Sequence, residues 1–188
     1  MAPAPVTDAV VHRLQARGYR CVRVATTPEA LGVRIAYAHP ERLGVDRFLA
    51  LLAAHARDDG PWLLVSVGSA LTVDLLDAQG RHHGGLIAPT PAHAAHALAT
   101  RFAVLAAPGG QVHDWATDTV DAVASGTLAS AAGLIERAYR LARETLGVAP
   151  TVLVSGGDAE PVRARLPFAT ELVEAPVLDG LARLAVAA

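Results

Sequence analysis

Three short stretches of this sequence combine residue types that can hold an anion or move a proton. In Gly44-Val45-Asp46-Arg47, a glycine tightens the chain just before an expected helix. The Asp46 carboxylate then stands accessible at the helix start, where it can take the proton of an alcohol. Arg47 carries a planar fork of donors suited to a carboxylate or a phosphate. The plainer alternative is that Asp46 caps the helix and Arg47 is a surface charge. In Gly68-Ser69-Ala70-Leu71-Thr72-Val73-Asp74, the glycine lets backbone N–H groups approach an anion closely, and the Ser69 and Thr72 hydroxyls add donors. A glycine there also suits a simple β-turn. In Ser155-Gly156-Gly157-Asp158, bare backbone lies between a strand and a helix, open to a ligand or serving only as a β–α turn.

Hydropathy periods show which elements carry these stretches. Apolar runs at 63–67 and 71–76 read as two strands, Asp77-Ala78-Gln79-Gly80 turns the chain, and Gly84-Gly85 closes a third short strand. A helix is expected over 45–56, apolar at Phe48, Leu49, Leu51 and Leu52, and broken by Asp58-Asp59-Gly60-Pro61. Upstream, Thr7 or Asp8 caps a helix to about residue 17, residues 21–25 alternate as a strand, and 26–29 form a turn or short helical piece. Downstream come a helix over 89–102, a loop over 106–115 and the longest helix, capped by Thr117 or Asp118 and ending near 146. Gly126 and Gly133 inside it mark a bend or a tight helix contact. A strand at 151–155, a helix at 158–166, a strand at 171–174 and a helix at 178–187 follow. From Trp62 onward this order is α/β and resembles a ribonuclease-H-like unit more than a doubly wound domain, and no GxGxxG occurs.

Composition narrows the chemistry. The 188 residues are 52% hydrophobic and 18% charged, as in a globular chain with a real core. A net charge of -2 argues against a nucleic-acid-binding face. All 16 basic residues are Arg, so phosphate-loop lysines and Schiff-base lysines are excluded. Cys21 is the single cysteine, which rules out a disulfide within the chain and suits a reducing cytoplasm. The eight histidines lack a third ligand at metal-binding spacing and read as surface or satisfied side chains. No apolar run reaches membrane-spanning length, and the N-terminus does not read as a signal peptide.

Four patterns in one order carry a resemblance. They are Tyr37-x-x-Pro40-x-x-x-Gly44-x-Asp46-Arg47; Gly68-Ser69-Ala70-x-Thr72-x-Asp74 with Gly84-Gly85-x-Ile87-x-Pro89; Thr119-x-x-Ala122-Val123-x-x-Gly126; and Ser155-Gly156-Gly157-Asp158-Ala159. From about residue 26 onward the chain resembles type III pantothenate kinase, of the actin-like ATPase superfamily built from two ribonuclease-H-like halves. The resemblance implies ATP-dependent phosphorylation of pantothenate to 4'-phosphopantothenate, the first step toward coenzyme A, by a cytoplasmic homodimer. It makes Asp46 the catalytic base, with Tyr37, Gly44, Val45, Asp46, Arg47 and Thr119 holding pantothenate, and has Thr119 reach the neighbouring subunit's site. Gly68, Ser69, Gly156 and Gly157 would line the ATP site, with the adenosine against the paired glycines and Mg2+ bridging the phosphates. Residues 1–60 would be the remnant of an N-terminal half and 61–188 a complete C-terminal half.

Three departures accompany the match. Ser69 stands where the family has a phosphate-gripping Thr. Ser66 stands where it commonly has the Asp that binds a potassium or ammonium ion, and a hydroxyl is a much poorer cation ligand. An Asp-x-Gly-Asn-Thr-like first phosphate loop has no counterpart. Two further possibilities follow from that last departure: a non-catalytic, degenerate binding or regulatory protein, or a sequence whose true start lies upstream.

Overall fold

The computed structural model describes residues 4–57, 60–102, 105 and 109–187. Its centre is strand β3 (Trp62–Val67), whose side chains alternate between two covered faces. Leu63, Val65 and Val67 belong to one core and Trp62 and Leu64 to another. Cover on both faces explains why the strand reads as a nearly unbroken apolar run. Gly68-Ser69-Ala70 turns the chain into β4 (Leu71–Leu76), antiparallel to β3 with Val67 opposite Leu71. Strand β5 (His82–Ala88) extends the meander beside β4. On the other side of β3, β6 (Thr151–Ser155) and then β7 (Glu171–Leu172) run parallel. The order β5-β4-β3-β6-β7, three antiparallel strands followed by two parallel ones, is the ribonuclease-H-like arrangement of an α/β fold, the building unit of actin-like ATPases.

Helices α3 (Pro91–Arg101) and α4 (Thr119–Leu146) link β5 to β6, and α5 (Ala159–Arg163) links β6 to β7. Leu128, Ile135 and Ala138 of α4 and Val162 of α5 seal the first face against Val65, Val73 and Val154. The second face is covered by α2 (Val45–His55), through Phe48, Leu51 and Leu52, by a small hairpin and by α6 (Pro176–Ala187). Helices α2 and α6 cross at Gly180, where a Cβ would stand 1.9 Å from the Leu49 carbonyl oxygen. Glycine is a packing requirement there, because any side chain would drive the two backbones apart.

Several expectations are corrected. Residues 21–25 form no strand: their alternation finds no neighbouring strand to pair with. The turn expected at 26–29 opens instead into a two-stranded hairpin, β1 (Glu29–Ala30) and β2 (Val33–Arg34). Its central residues Leu31 and Gly32 both have positive φ, 47° and 83°, as a tight hairpin turn demands. A leucine at such a position hides the turn from sequence. Helix α1 (Ala4–Gln15) begins before Thr7. Of the two candidate caps of α4, Asp118 does the work, its side chain accepting from the Val120 N–H at 2.8 Å. Gly126 and Gly133 mark no tight contact, since a Cβ at either would meet nothing within 4 Å. Part of the loop expected at 106–115, residues 106–108, lies outside the described residues, as do Asp58 and Asp59.

Candidate active site

Helix α2 starts without a side-chain cap: Gly44 occupies the N-cap position, and a Cβ there would stand 2.6 Å from Asp46 Oδ1. Asp46 instead uses Oδ1 to accept from the Arg47 backbone N–H at 2.9 Å. Its carboxylate is solvent-exposed at the positive end of the helix dipole. It therefore does some of a cap's work while keeping oxygen lone pairs open.

One residue further round the helix, Arg47 is buried, only 7% exposed. Its Nε and Nη2 donate to the two oxygens of Asp74 on β4, at 2.8 and 2.6 Å. Nη1 donates to the Tyr37 hydroxyl at 3.3 Å. His82, at the start of β5 and 1% exposed, bonds Asp74 Oδ1 through Nε2 at 3.0 Å and stacks on the Tyr37 ring with centroids 5.9 Å apart. Gly85, opposite Asp74 on β5, makes room for the group: a Cβ would lie 2.3 Å from both Arg47 Nη2 and Asp74 Oδ1. Burial alone would raise the Asp74 pKa, but the hydrogen bonds from His82 and Arg47 and the charge of Arg47 outweigh it and hold the group below the usual carboxylate range. Burial pulls the Arg47 pKa down, and the hydrogen bond and charge of Asp74 more than reverse that, leaving the guanidinium firmly charged.

Asp46 and Arg47 line one wall of a cavity of about 640 Å³ between α2, the second face of the sheet and α6. Its sheet floor carries a row of hydroxyls. Thr72, Ser66 and Ser155 sit side by side on β4, β3 and β6 because Ser66 pairs with Thr72 on one side and with Ser155 on the other. Ser69 adds a fourth hydroxyl from the β3–β4 turn. Toward α6 the lining mixes apolar Ala50, Ala53, Val173 and Val177 with charged Arg57, Asp179 and Arg183. One end of the cavity can thus hold an anion by hydroxyl donors, facing a carboxylate able to accept a proton.

The other residues expected in a site are placed as follows. Tyr37 touches Arg47 through its hydroxyl. Gly44 and Val45 form the entry to α2, Val45 packing into the core. Gly68 lies in the turn beside Ser69, but its N–H is already used, donating to the Ala70 carbonyl at 3.2 Å. Gly156, with φ of 105°, lies against β3, where a Cβ would stand 2.2 Å from the Val67 carbonyl oxygen, and Gly157 beside it is open. Neither glycine is among the residues lining the cavity. Thr119 is exposed on the first turn of α4, the helix packed on the opposite face of the sheet, and does not reach the cavity.

Sequence reasoning did not assign a role to Asp74 or Gly85, though both fall within the quoted patterns, and it read the histidines as surface or satisfied. His82 is instead fully buried, and its Nδ1 has no hydrogen-bond partner among the described residues. The signal available was an acidic residue on a strand whose other side chains are almost all apolar.

Comparison with known proteins places this geometry. The profile of the family described as type III pantothenate kinase matches residues 2–141. The chain is similar to a type III pantothenate kinase of Stenotrophomonas maltophilia (strain K279a), at 50% identity over 99% of the chain and 76% of that protein. It is also 49% identical to one from Xanthomonas axonopodis pv. citri (strain 306), over 100% of the chain and 76% of the relative. Among solved structures, it resembles in fold a Campylobacter jejuni protein described as a conserved Baf family transcriptional activator. There the TM-score is 0.59 at 22% identity, over 78% of this chain and 65% of that one.

Proposed function

The chain belongs to the type III pantothenate kinases, enzymes that phosphorylate pantothenate with ATP at the entry to coenzyme A synthesis, and we propose that it carries out this reaction in the cavity under α2. The observation that carries the proposal is the meeting, across one cavity, of the Asp46 carboxylate and Arg47 guanidinium with the hydroxyls of Ser66, Ser69, Thr72 and Ser155. Phosphoryl transfer asks a protein for positioning, for charge neutralisation and for a group to take the attacking hydroxyl's proton. Asp46 takes that proton. Arg47, with Tyr37 behind it and Gly44 and Val45 shaping the helix entry, holds the acceptor substrate. Ser69, in the turn that Gly68 opens, holds phosphate oxygens, and Gly156-Gly157, outside the cavity lining, offers bare backbone to the adenosine beyond it.

The Mg2+ of this reading travels with ATP and would balance charge on its phosphates. The neutral hydroxyls of Ser66, Thr72 and Ser155 are weak ligands for a monovalent ion, and the reaction proceeds here without potassium or ammonium. Exposed Thr119 completes the pantothenate pocket of a second subunit in a homodimer. Residues 1–60 are assigned to an N-terminal half of the fold and 61–188 to a C-terminal half. No helix among the described residues is long and apolar enough to cross a membrane; the cytoplasmic location belongs to the reading as the family resemblance implies it.

A coupled assay of pantothenate phosphorylation with Mg-ATP, on this chain and on Asp46→Asn, tests the reading. Removing a general base should lower kcat by roughly 10²–10⁴-fold with the thermal midpoint unchanged. Unaltered turnover in Asp46→Asn would exclude the base assignment. Absent turnover in a folded wild-type chain would favour the other candidate, a binding or regulatory relative of the kinases.

A further inference from the structure

Arg47 has more donors than its internal partners use. A guanidinium carries five N–H hydrogens in a fixed plane. The side fork, Nε with Nη2, is taken by the two oxygens of Asp74, and one Nη1 hydrogen goes to Tyr37. What is left is one hydrogen on each Nη, at the distal end of the guanidinium, on a residue that lines the cavity. Such a pair matches a second planar, two-oxygen anion.

The orientation of that tip is fixed from behind. Asp74 Oδ1 accepts from both Arg47 Nη2 and His82 Nε2, while Oδ2 accepts from Arg47 Nε. The carboxylate therefore cannot swing without breaking a bond on one side or the other. His82 is a costly choice for packing alone. Its Nδ1 is buried and has no partner among the described residues, a desolvation cost that a phenylalanine in the same space would avoid. The bond that histidine makes and phenylalanine cannot is the one to Asp74.

We propose that Asp74 and His82 are positioning residues, holding Arg47 so that its free tip receives the carboxylate of the acceptor substrate. This rests on the pantothenate reading above and adds a specificity rule to it: the pocket recognises the carboxylate end of the acceptor through an arginine aimed by a second carboxylate. Asp74 also offsets the charge of Arg47, so recognition depends on the geometry of the fork more than on net attraction. The phosphates of ATP could offer a similar pair of oxygens, and the two sources are separable by experiment.

Calorimetric titration of pantothenate, of pantothenol (an alcohol in place of the carboxylate) and of Mg-ATP into the wild-type chain, Asp74→Asn and His82→Phe makes the test. Pantothenate should bind Asp74→Asn at least about tenfold more weakly, the loss of roughly one charge-assisted contact, and His82→Phe several-fold more weakly. Pantothenol and Mg-ATP should bind all three proteins alike. A merely structural role would weaken all ligands together, and that result would overturn the proposal. So would unchanged pantothenate affinity in both variants, or a loss confined to Mg-ATP. Should Asp74→Asn fail to fold, His82→Phe decides alone, because it fills the same space and removes an unpaired polar atom. A wild-type chain that binds Mg-ATP but not pantothenate would sink the pantothenate reading itself, whereas wild-type binding with no selective loss in the variants would sink only the positioning role.

Discussion

The two faces of the central sheet are built from the same strands by opposite rules. Toward α4 and α5, every buried contributor from the strands is Leu or Val, and the helix answers with Leu128, Ala131, Ile135 and Ala138. Toward α2 and α6, apolar residues such as Leu64 and Leu153 alternate along the strands with Ser66, Thr72, Asp74 and Ser155. A strand's period of two allows this division without any insertion: odd positions of β3 and β4 meet one helix layer and even positions the other. The lesson is that stability and chemistry can be assigned to different faces of one sheet, so each can be disturbed with little direct cost to the other.

The largest expected effect breaks the apolar face. Ile135 is fully buried, and Ile135→Ala should cost roughly 2–5 kcal/mol in urea unfolding while KM for pantothenate in the surviving folded enzyme stays put. A changed KM at constant temperature would show that the faces are not independent.

A smaller effect should come from acid. The folded-state pKa of Asp74 is lowered, so its contribution is complete above the unfolded carboxylate value of about 3.9. It is lost as pH falls through the lower folded value. Asp77, whose pKa is pulled up by burial but lowered on balance by bonds from His83 and from the Arg81 and Gln79 backbone, follows the same sign. Unfolding midpoints measured at about pH 6 and about pH 3 should differ less in Asp74→Asn than in wild type. Equal pH sensitivity in the two would place acid lability elsewhere.

The smallest change adds to the polar face. Ser66→Asp sets a carboxylate between Thr72 and Ser155, and turnover should become sensitive to potassium, checked by titrating potassium against sodium. Identical rates in both salts would show that a carboxylate at this position is not enough to create a cation site.

Much of this was legible in sequence, and what was not has physical causes. β4, β6 and the start of α2 were readable to the residue, and β3 and α4 nearly so, because one strong period governs each. Arg47 was singled out for its donors, yet its partner Asp74 lies 27 positions away, and no local pattern records a pairing made by a helix laid across a sheet. His82 was hidden because its neighbour His83, paired with Asp77 at the turn, looks the same on paper; only the alternation of β5 tells which one points inward. The 29–34 hairpin was hidden by a leucine in a left-handed conformation. For Thr119, sequence and a single chain are both insufficient, since the proposed role lies in a second subunit.

The crossing of α2 and α6 at Gly180 also bears on the order in which the protein is made. The cavity's roof consists of residues 176–183, and its opposite wall of residues 46–57, brought together by a contact separated by about 130 positions, Leu49 with Gly180. Contacts so distant along the chain form late. During synthesis, α2 and the β3–β5 meander emerge long before α6 does, and their hydroxyl row then lies open to water. A nascent chain on the ribosome has no enclosed pocket, and the cavity closes only once the helix bearing Gly180 has been released to dock.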